Sequence, residues 1–360
     1  MRAYTVQKGD TIRKVAVKFD IRPFDLILFN RQILNENSYI YPGEVLEIPE
    51  IAKELPLRYS PFQCLCEYGP TDLERDIKSL EENYNDYIST HFLSINTIGQ
   101  SVLSHPLYSF KIGNGKKEIF YSGGWHANEW LTSKFLMTFI EELLHHYKNK
   151  KRWHGYELEK LFHEVTLYIV PLVNPDGVEL VQQGIYPNHP MYKDVLTINK
   201  GSMEFDHWSS NIRGVDLNHQ WPAGWEVEAD ESPQQPWPRH YSGTAPLTEP
   251  EARAVYEFTR SHNFSHVLAF HSQGQVIYWG YRGYEPAESK EMVERLSLVS
   301  SYVPVHTAES DGGYKDWFIQ DTGRPGFTIE VGVGTNPLPL SSFSEIWSNN
   351  VLLALEGLIL

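Results

Sequence analysis

Cysteine is nearly absent: Cys64 and Cys66 are the only two among 360 residues. Residues two apart on an extended segment point to one side and lack disulfide geometry, so the pair reads as two free thiols and no disulfide framework is expected. Long apolar runs are missing too. No stretch approaches the roughly 20 apolar residues that cross a bilayer, which excludes a spanning helix and leaves no membrane partner. Positive charge is in deficit, with 31 Lys and Arg against 46 Asp and Glu and a net charge of -15. Nucleic-acid binding needs clustered Lys and Arg to displace counterions, so nucleic acid is excluded as a partner. Met1-Arg2 runs at once into polar residues instead of an apolar stretch with a cleavage site, and the chain as translated is expected in the cytoplasm.

What is there is globular. Hydrophobic residues make up 41% and charged residues 21%, enough apolar side chains for a packed core. The length suits a small module followed by one larger domain. Residues 1–49 read as βααβ: a β-like stretch Tyr4-Thr5-Val6, a turn at Lys8-Gly9-Asp10, helical stretches Thr11 to Phe19 and Pro23 to Asn30, a turn at Pro42-Gly43, and a returning strand through Val45, Leu46 and Ile48. The pattern YTVQKGDTIRKVAVKF, LILFN, YIYPGEVLEIP resembles the LysM module along its whole length. That resemblance implies binding of N-acetylglucosamine-containing glycans, peptidoglycan or chitin, the alternative being a LysM fold reused for protein contact. A single copy implies modest affinity, since repeats gain by effective concentration.

Residues 50–70 show no sustained period and hold three prolines, as a linker would. A second domain, 71–360, opens with helical spacing that puts Leu73, Ile77, Leu80 and Tyr84 on one face. Beyond it, strand candidates (Ser109 to Ile112, Glu118 to Ser122, Val165 to Val170, Ser265 to His271, Val276 to Gly280, Gly326 to Val331) alternate with helix candidates (Trp130 to His146, Glu249 to His262, Pro286 to Ser301, Lys315 to Asp321). Thr248 and Glu251 have the spacing of a capping box. The alternation predicts an α/β sandwich around a mixed, largely parallel sheet. Ligands of such sheets sit beyond the carboxyl ends of the strands, where His126, His271 and Glu330 fall.

A catalytic zinc site takes three ligands from His, Glu and Asp and keeps a position open. His126 and Glu129 lie three residues apart between a strand and a helix, behind a Gly123-Gly124 turn. The spacing alone is weak, because His154 with Glu157 and His306 with Glu309 repeat it; those pairs lack the strand-turn-helix setting. His271 closes the apolar run Val267 to Phe270 and supplies a third donor from another strand end. The blocks GGWHANEW, YIVPLVNPDGVE, NIRGVDLNHQWP, GTAPLTEPEARA and FTIEVG, with SHVLAFHS between the last two, make the second domain resemble the zinc carboxypeptidase family. The resemblance implies an α/β/α sandwich, a zinc cofactor, and His126, Glu129 and His271 as its ligands.

Glu330 interrupts the apolar strand Phe327 to Val331, a costly placement unless the carboxylate is paired or functional. Its family counterpart is the general base acting on the zinc-activated water. Arg213 fits the family's carbonyl-polarising arginine, with a structural or surface role as the alternative. Two departures bear on substrate. Where family members carry Asn-Arg to grip a terminal carboxylate, this chain has Asn218-His219, and histidine cannot form the bidentate fork of a guanidinium. Ala308 stands at the position of a substrate-flanking tyrosine, with Tyr314 as a substitute from the other side. Asp316 is a candidate for holding a substrate amine, or for a structural part at a helix start. The loop from Trp221 to Trp237 either lines the substrate groove or packs internally.

A LysM-like module joined to this catalytic domain resembles the bacterial γ-D-glutamyl-L-diamino acid endopeptidases. The implied substrates are peptidoglycan stem peptides or muropeptides, cut between D-glutamate and the diamino acid, with His219 near the D-glutamate α-carboxylate. The rival readings are a carboxypeptidase on stem peptides or proteins, and a non-catalytic glycan-binding protein. A wall enzyme without an export signal is expected to be spore-associated, or to recycle wall fragments in the cytosol.

Overall fold

The computed structural model describes residues 2–19, 21, 23–30, 32–33, 38–49, 67–150, 152–307 and 310–360. Cys64, Cys66, most of the expected linker and Ala308 lie outside the described residues. At the amino end, β1 (Arg2–Thr5) pairs antiparallel with β2 (Val45–Ile48), and helices Ile12–Lys18 and Pro23–Phe29 lie between them in the chain. The Thr11 hydroxyl accepts the Lys14 amide at 3.2 Å and so caps the first helix. Val6, Ile12, Val15, Leu26, Ile40, Leu46 and Ile48 form a core of their own. The Asn30 amide ties the second helix to β2 through bonds to the Leu26 carbonyl and to both backbone groups of Glu47, all at 2.7–2.8 Å.

The larger body is built on one sheet. After β3 (Leu93–Gln100), β4 (Pro106–Ile112) and β5 (Lys117–Ser122), the chain forms a small hairpin of β6 (Arg152–Trp153) and β7 (Tyr156–Glu157). It then adds β8 (Val165–Val170), β9 (Phe264–His271), β10 (Val276–Tyr278), β11 (Val303–Val305) and β12 (Gly326–Glu330). The eight-stranded order is β11-β10-β12-β9-β5-β8-β4-β3. Four neighbouring pairs are parallel (β11 with β10, β12 with β9, β9 with β5, β5 with β8) and three antiparallel, the mixed, largely parallel sheet expected.

Central strands β5, β8, β9 and β12 are apolar on both faces because helices cover both. On one side pack helices Pro70–Asn83, Leu131–Lys148, Glu288–Ser300 and Phe343–Gly357, through Leu73, Phe135, Leu296 and Val351 among others. On the other side lie Pro250–Arg260 and Tyr314–Thr322, through Val255, Tyr314 and Phe318. The result is an α/β/α sandwich. No helix among the described residues is long and apolar enough to cross a membrane.

The two bodies touch. Arg13 of the amino-terminal module is only 5% exposed and donates from Nε and an η nitrogen to the Val299 and Leu298 carbonyls, each at 2.9 Å. These carbonyls end helix Glu288–Ser300, where unpaired acceptors and the helix dipole favour a cation.

One local expectation changes, and two elements went unforeseen. Thr248 and Glu251 do not form a capping box: Pro250 takes the first helical position and Glu249 the cap. The Thr248 hydroxyl turns to Gln220 instead, while Glu251 accepts the Val102 amide at 3.1 Å. Strand β3 escapes the sequence pattern because it is an edge strand rich in Ser, Asn, Thr and Gln, bulged beside Gly99, where a Cβ would stand 2.5 Å from Ala254. Helix Phe343–Gly357 is buried over most of its surface, so it carries no amphipathic stripe.

Candidate metal centre

Three strand ends converge at the carboxyl edge of the sheet. Strand β5 ends at Ser122, and the chain turns through Gly123-Gly124 into a 3₁₀ turn, Ala127–Glu129, before helix Leu131–Lys148. His126 precedes this turn as its extended N-cap, and its carbonyl accepts the Glu129 amide at 3.1 Å, which folds the two residues onto one another. The turn depends on Gly124. Its φ is +61°, and a Cβ there would lie 2.4 Å from the Ser133 hydroxyl and 3.1 Å from the Leu172 backbone. Strands β9 and β12 end at His271 and Glu330, which are directly paired in the parallel ladder.

The donor atoms form a tight knot. His126 Nδ1 is 2.9 Å from Glu129 Oε1, His271 Nδ1 is 3.2 Å from Glu129 Oε2, and the two Nδ1 atoms are 3.3 Å apart. Tetrahedral zinc with bonds of about 2.0–2.1 Å spaces its ligand atoms about 3.3 Å apart, so the donor set and its geometry fit the ion. Behind it, Asp216 Oδ1 faces His126 Nε2 at 3.1 Å. Asp216 is fixed in turn by the Asn218 and His240 amides at 3.0 Å each. A carboxylate on the far imidazole nitrogen sets the tautomer that leaves Nδ1 free for a metal.

The local charges oppose one another. Burial works against protonation of His126, but the carboxylates of Glu129 and Asp216 outweigh it and hold His126 well above the usual histidine range. Burial would likewise raise Glu129, yet His126 and His271 pull it down to about 2. Burial lowers His271. Glu330 is pushed up to about 8, first by burial and then by the negative charge of Glu129. A divalent cation held by Glu129 would draw Glu330 back down.

The remaining expected residues fall in different places. Asn218 accepts the Tyr314 amide on its side-chain oxygen at 3.1 Å. His219 lies with its ring 5.5 Å from that of His240 and its Nδ1 3.2 Å from Glu228. Together with Asp216 these two histidines form a second group of donor residues beside the first. Arg213 is half-exposed and directed to Glu249 at 3.5 Å. It lines a recess of about 460 Å³ with Lys200, Trp237 and others, none of them a member of the His126, Glu129, His271 cluster. Asp316 is buried and paired with its neighbour Lys315, whose Nζ also donates to the Gly280 carbonyl at 2.7 Å. Trp221 packs internally against Trp125, Tyr314 and Trp317, whereas Trp237 reaches the recess.

Asp216, Ser272 and Asn336 also stand at the site, and sequence reasoning missed them. An acidic residue inside the apolar Val-Asp-Leu of NIRGVDLNHQWP was a usable signal for the first. Ser272 and Asn336 act across 64 residues and left none.

This topology, with a His-x-x-Glu turn and a strand-end His and Glu around one point, defines the class. The chain belongs to the zinc carboxypeptidase family, whose model matches residues 74–352, and a LysM domain matches residues 4–49; it is a zinc metallopeptidase. Over 293 residues it is 48% identical to Gamma-D-glutamyl-L-diamino acid endopeptidase 1 of Lysinibacillus sphaericus, spanning 81% of this chain and 72% of that protein. It is 36% identical to the uncharacterized protein YqgT of Bacillus subtilis (strain 168), spanning 78% and 74% of the two chains. The solved bovine thrombin-activatable fibrinolysis inhibitor, in complex with a tick carboxypeptidase inhibitor, shares the fold with a TM-score of 0.63 at 22% identity, over 83% of this chain and 98% of that one.

Proposed function

We propose that the chain is a peptidoglycan endopeptidase that hydrolyses stem peptides between D-glutamate and the diamino acid. His126, Glu129 and His271 hold the zinc, and Glu330 is the general base. Zinc, when bound, supplies Lewis-acid polarisation of the scissile carbonyl and activates water at neutral pH. Glu330 takes the proton of the attacking water and passes it to the leaving amine from its place at the end of β12, directly paired with His271. Asp216 keeps His126 in its ligating tautomer. Arg213 has no assigned part in this scheme, since its guanidinium faces Glu249 and it lines a recess that holds none of the three metal-donor residues.

The observation that carries the specificity is the pair of imidazoles beside Asp216. His219 and His240 stand together where a carboxypeptidase needs a guanidinium fork for a free C-terminus. They and the Asn218 amide offer single donors, which suit the D-glutamate α-carboxylate next to the scissile γ-amide. The relative named for this cleavage supports the same reading. On the amino-terminal module, Tyr39 and Tyr41 are 72% and 67% exposed and meet edge to face at 4.8 Å. Such rings suit sugar faces, and we assign the module N-acetylglucosamine-containing glycan.

A carboxypeptidase is the competing reading. Amidating the C-terminus of a muropeptide separates the two: the endopeptidase retains its rate, and loss of activity on the amide supports the carboxypeptidase. Spore association belongs to the same proposal. Fractionation of sporulating cells is expected to place the protein with the spore, and recovery from the medium of growing cells is the contrary result.

A further inference from the structure

We infer that Asn336 is a positioning residue for Glu129, and that with Ser272 it forms a clamp joining the loop beyond Glu330 to the metal centre. The inference rests on the zinc-ligand assignment above. Glu129 is buried, and each of its oxygens meets one imidazole and one further donor. Oε1 faces His126 and the Asn336 amide nitrogen, the latter at 3.3 Å. Oε2 faces His271 and the Ser272 backbone N–H, the latter at 3.2 Å.

The orientation of the Asn336 amide is specified at its nitrogen end. Its nitrogen also donates to the Ser272 carbonyl at 2.7 Å, and its oxygen accepts the Ser272 hydroxyl at 2.9 Å. A flipped amide would set its oxygen against the Glu129 carboxylate and the Ser272 carbonyl at once, which the donor and acceptor inventory forbids. The loop carrying Asn336 leaves β12 directly after Glu330. It is laced to the segment after β9 by Val331 N–H to the His271 carbonyl at 2.8 Å and Gly274 N–H to the Gly332 carbonyl at 2.9 Å. One loop therefore sets both the expected base and a metal-binding carboxylate. Hydrogen bonds to a ligating carboxylate hold its bite and direction, and losing one weakens metal affinity.

The test measures zinc affinity of the full chain by chelator competition, with the absorption spectrum of the cobalt-substituted protein and the melting temperature of the zinc-free protein. Asn336→Ala is expected to weaken zinc binding about 10- to 100-fold and to alter the cobalt spectrum. Asn336→Asp, which turns an oxygen toward Glu129, is expected to weaken it further, and Ser272→Ala to fall between Asn336→Ala and the parent. Unchanged zinc affinity and cobalt spectrum in Asn336→Ala, alongside a lowered zinc-free melting temperature, would overturn the inference in favour of a purely structural role. So would an Asn336→Asp variant that binds zinc as tightly as the parent. Should Asn336→Asp not fold, Asn336→Ala and Ser272→Ala decide by the same readouts. Parent-like zinc affinity in both overturns the clamp while leaving the ligand assignment standing; that assignment fails separately if His126→Ala and His271→Ala retain zinc.

Discussion

Glu330 and Glu251 are both carboxyls that burial drives up to about 8, yet they belong to different parts of the molecule. Glu330 ends β12 opposite His271, and Glu330→Gln is expected to retain stoichiometric zinc while kcat falls by about 10²–10⁴, the usual worth of a general base; metal analysis with muropeptide kinetics checks this. Glu251 is fully buried between the Val102 amide and the Asn211 side chain, with Asp176 and Glu249 adding to the effect of burial. Its ordinary value is 4.5, so between about 4.5 and 8 the folded protein holds a proton that the unfolded chain has released. The stability this group contributes below pH 4.5 is lost as pH rises through about 8, on the order of a few kcal/mol. Melting curves of the zinc-free protein from pH 5 to 9 are expected to show Glu251→Gln gaining on the parent as pH rises; a gap that narrows instead contradicts this. At this scale the sequence spoke unevenly. His126, Glu129, His271 and Glu330 were legible because each interrupts an apolar or glycine-turn pattern at a strand end. The direction of Arg213 was not, because a loop side chain obeys no period, and Asn336 was not, because its partners are set by tertiary folding.

Between strand and helix, the Gly123-Gly124 turn decides whether the His-x-x-Glu spacing becomes a site. His154 and Glu157 have the same spacing, but Glu157 belongs to the small hairpin and pairs with Arg152 across it, so context separates the two pairs. The central strands and the helix after the turn were readable from their apolar patterns, because burial on both faces or along one stripe leaves a mark. The edge strand β3 and the engulfed helix Phe343–Gly357 leave none. Gly124→Ala is expected to cost about 2–4 kcal/mol, combining a left-handed backbone with overpacking, and to release zinc. Gly323 has a similar φ of +65° and lies in the left-handed helical region, but no atom lies within 4 Å of the place its Cβ would take, so Gly323→Ala is expected to cost only about 1–2 kcal/mol. Denaturant titration of both variants checks the contrast, and equal losses would contradict it.

For the whole molecule, Arg13 makes the amino-terminal module part of the catalytic body's surface. Arg13→Glu replaces two donors with a charge that the helix end repels. It is expected to leave hydrolysis of soluble muropeptides within about 2-fold while lowering activity on intact wall several-fold, because the glycan site and the metal centre lose their fixed spacing. Equal effects on both substrates would contradict that role. The division into a βααβ module and an α/β/α sandwich was legible from pattern and turn signals, whereas the contact between them was not, since one arginine on a helix announces no partner. The most direct test of the proposed activity is mass spectrometry of a defined muropeptide, carrying a γ-D-glutamyl–diamino acid bond, after incubation with the zinc-loaded enzyme. The predicted result is a pair of fragments ending at D-glutamate and beginning at the diamino acid; an intact γ-D-glutamyl bond, or trimming from the C-terminus alone, would contradict it.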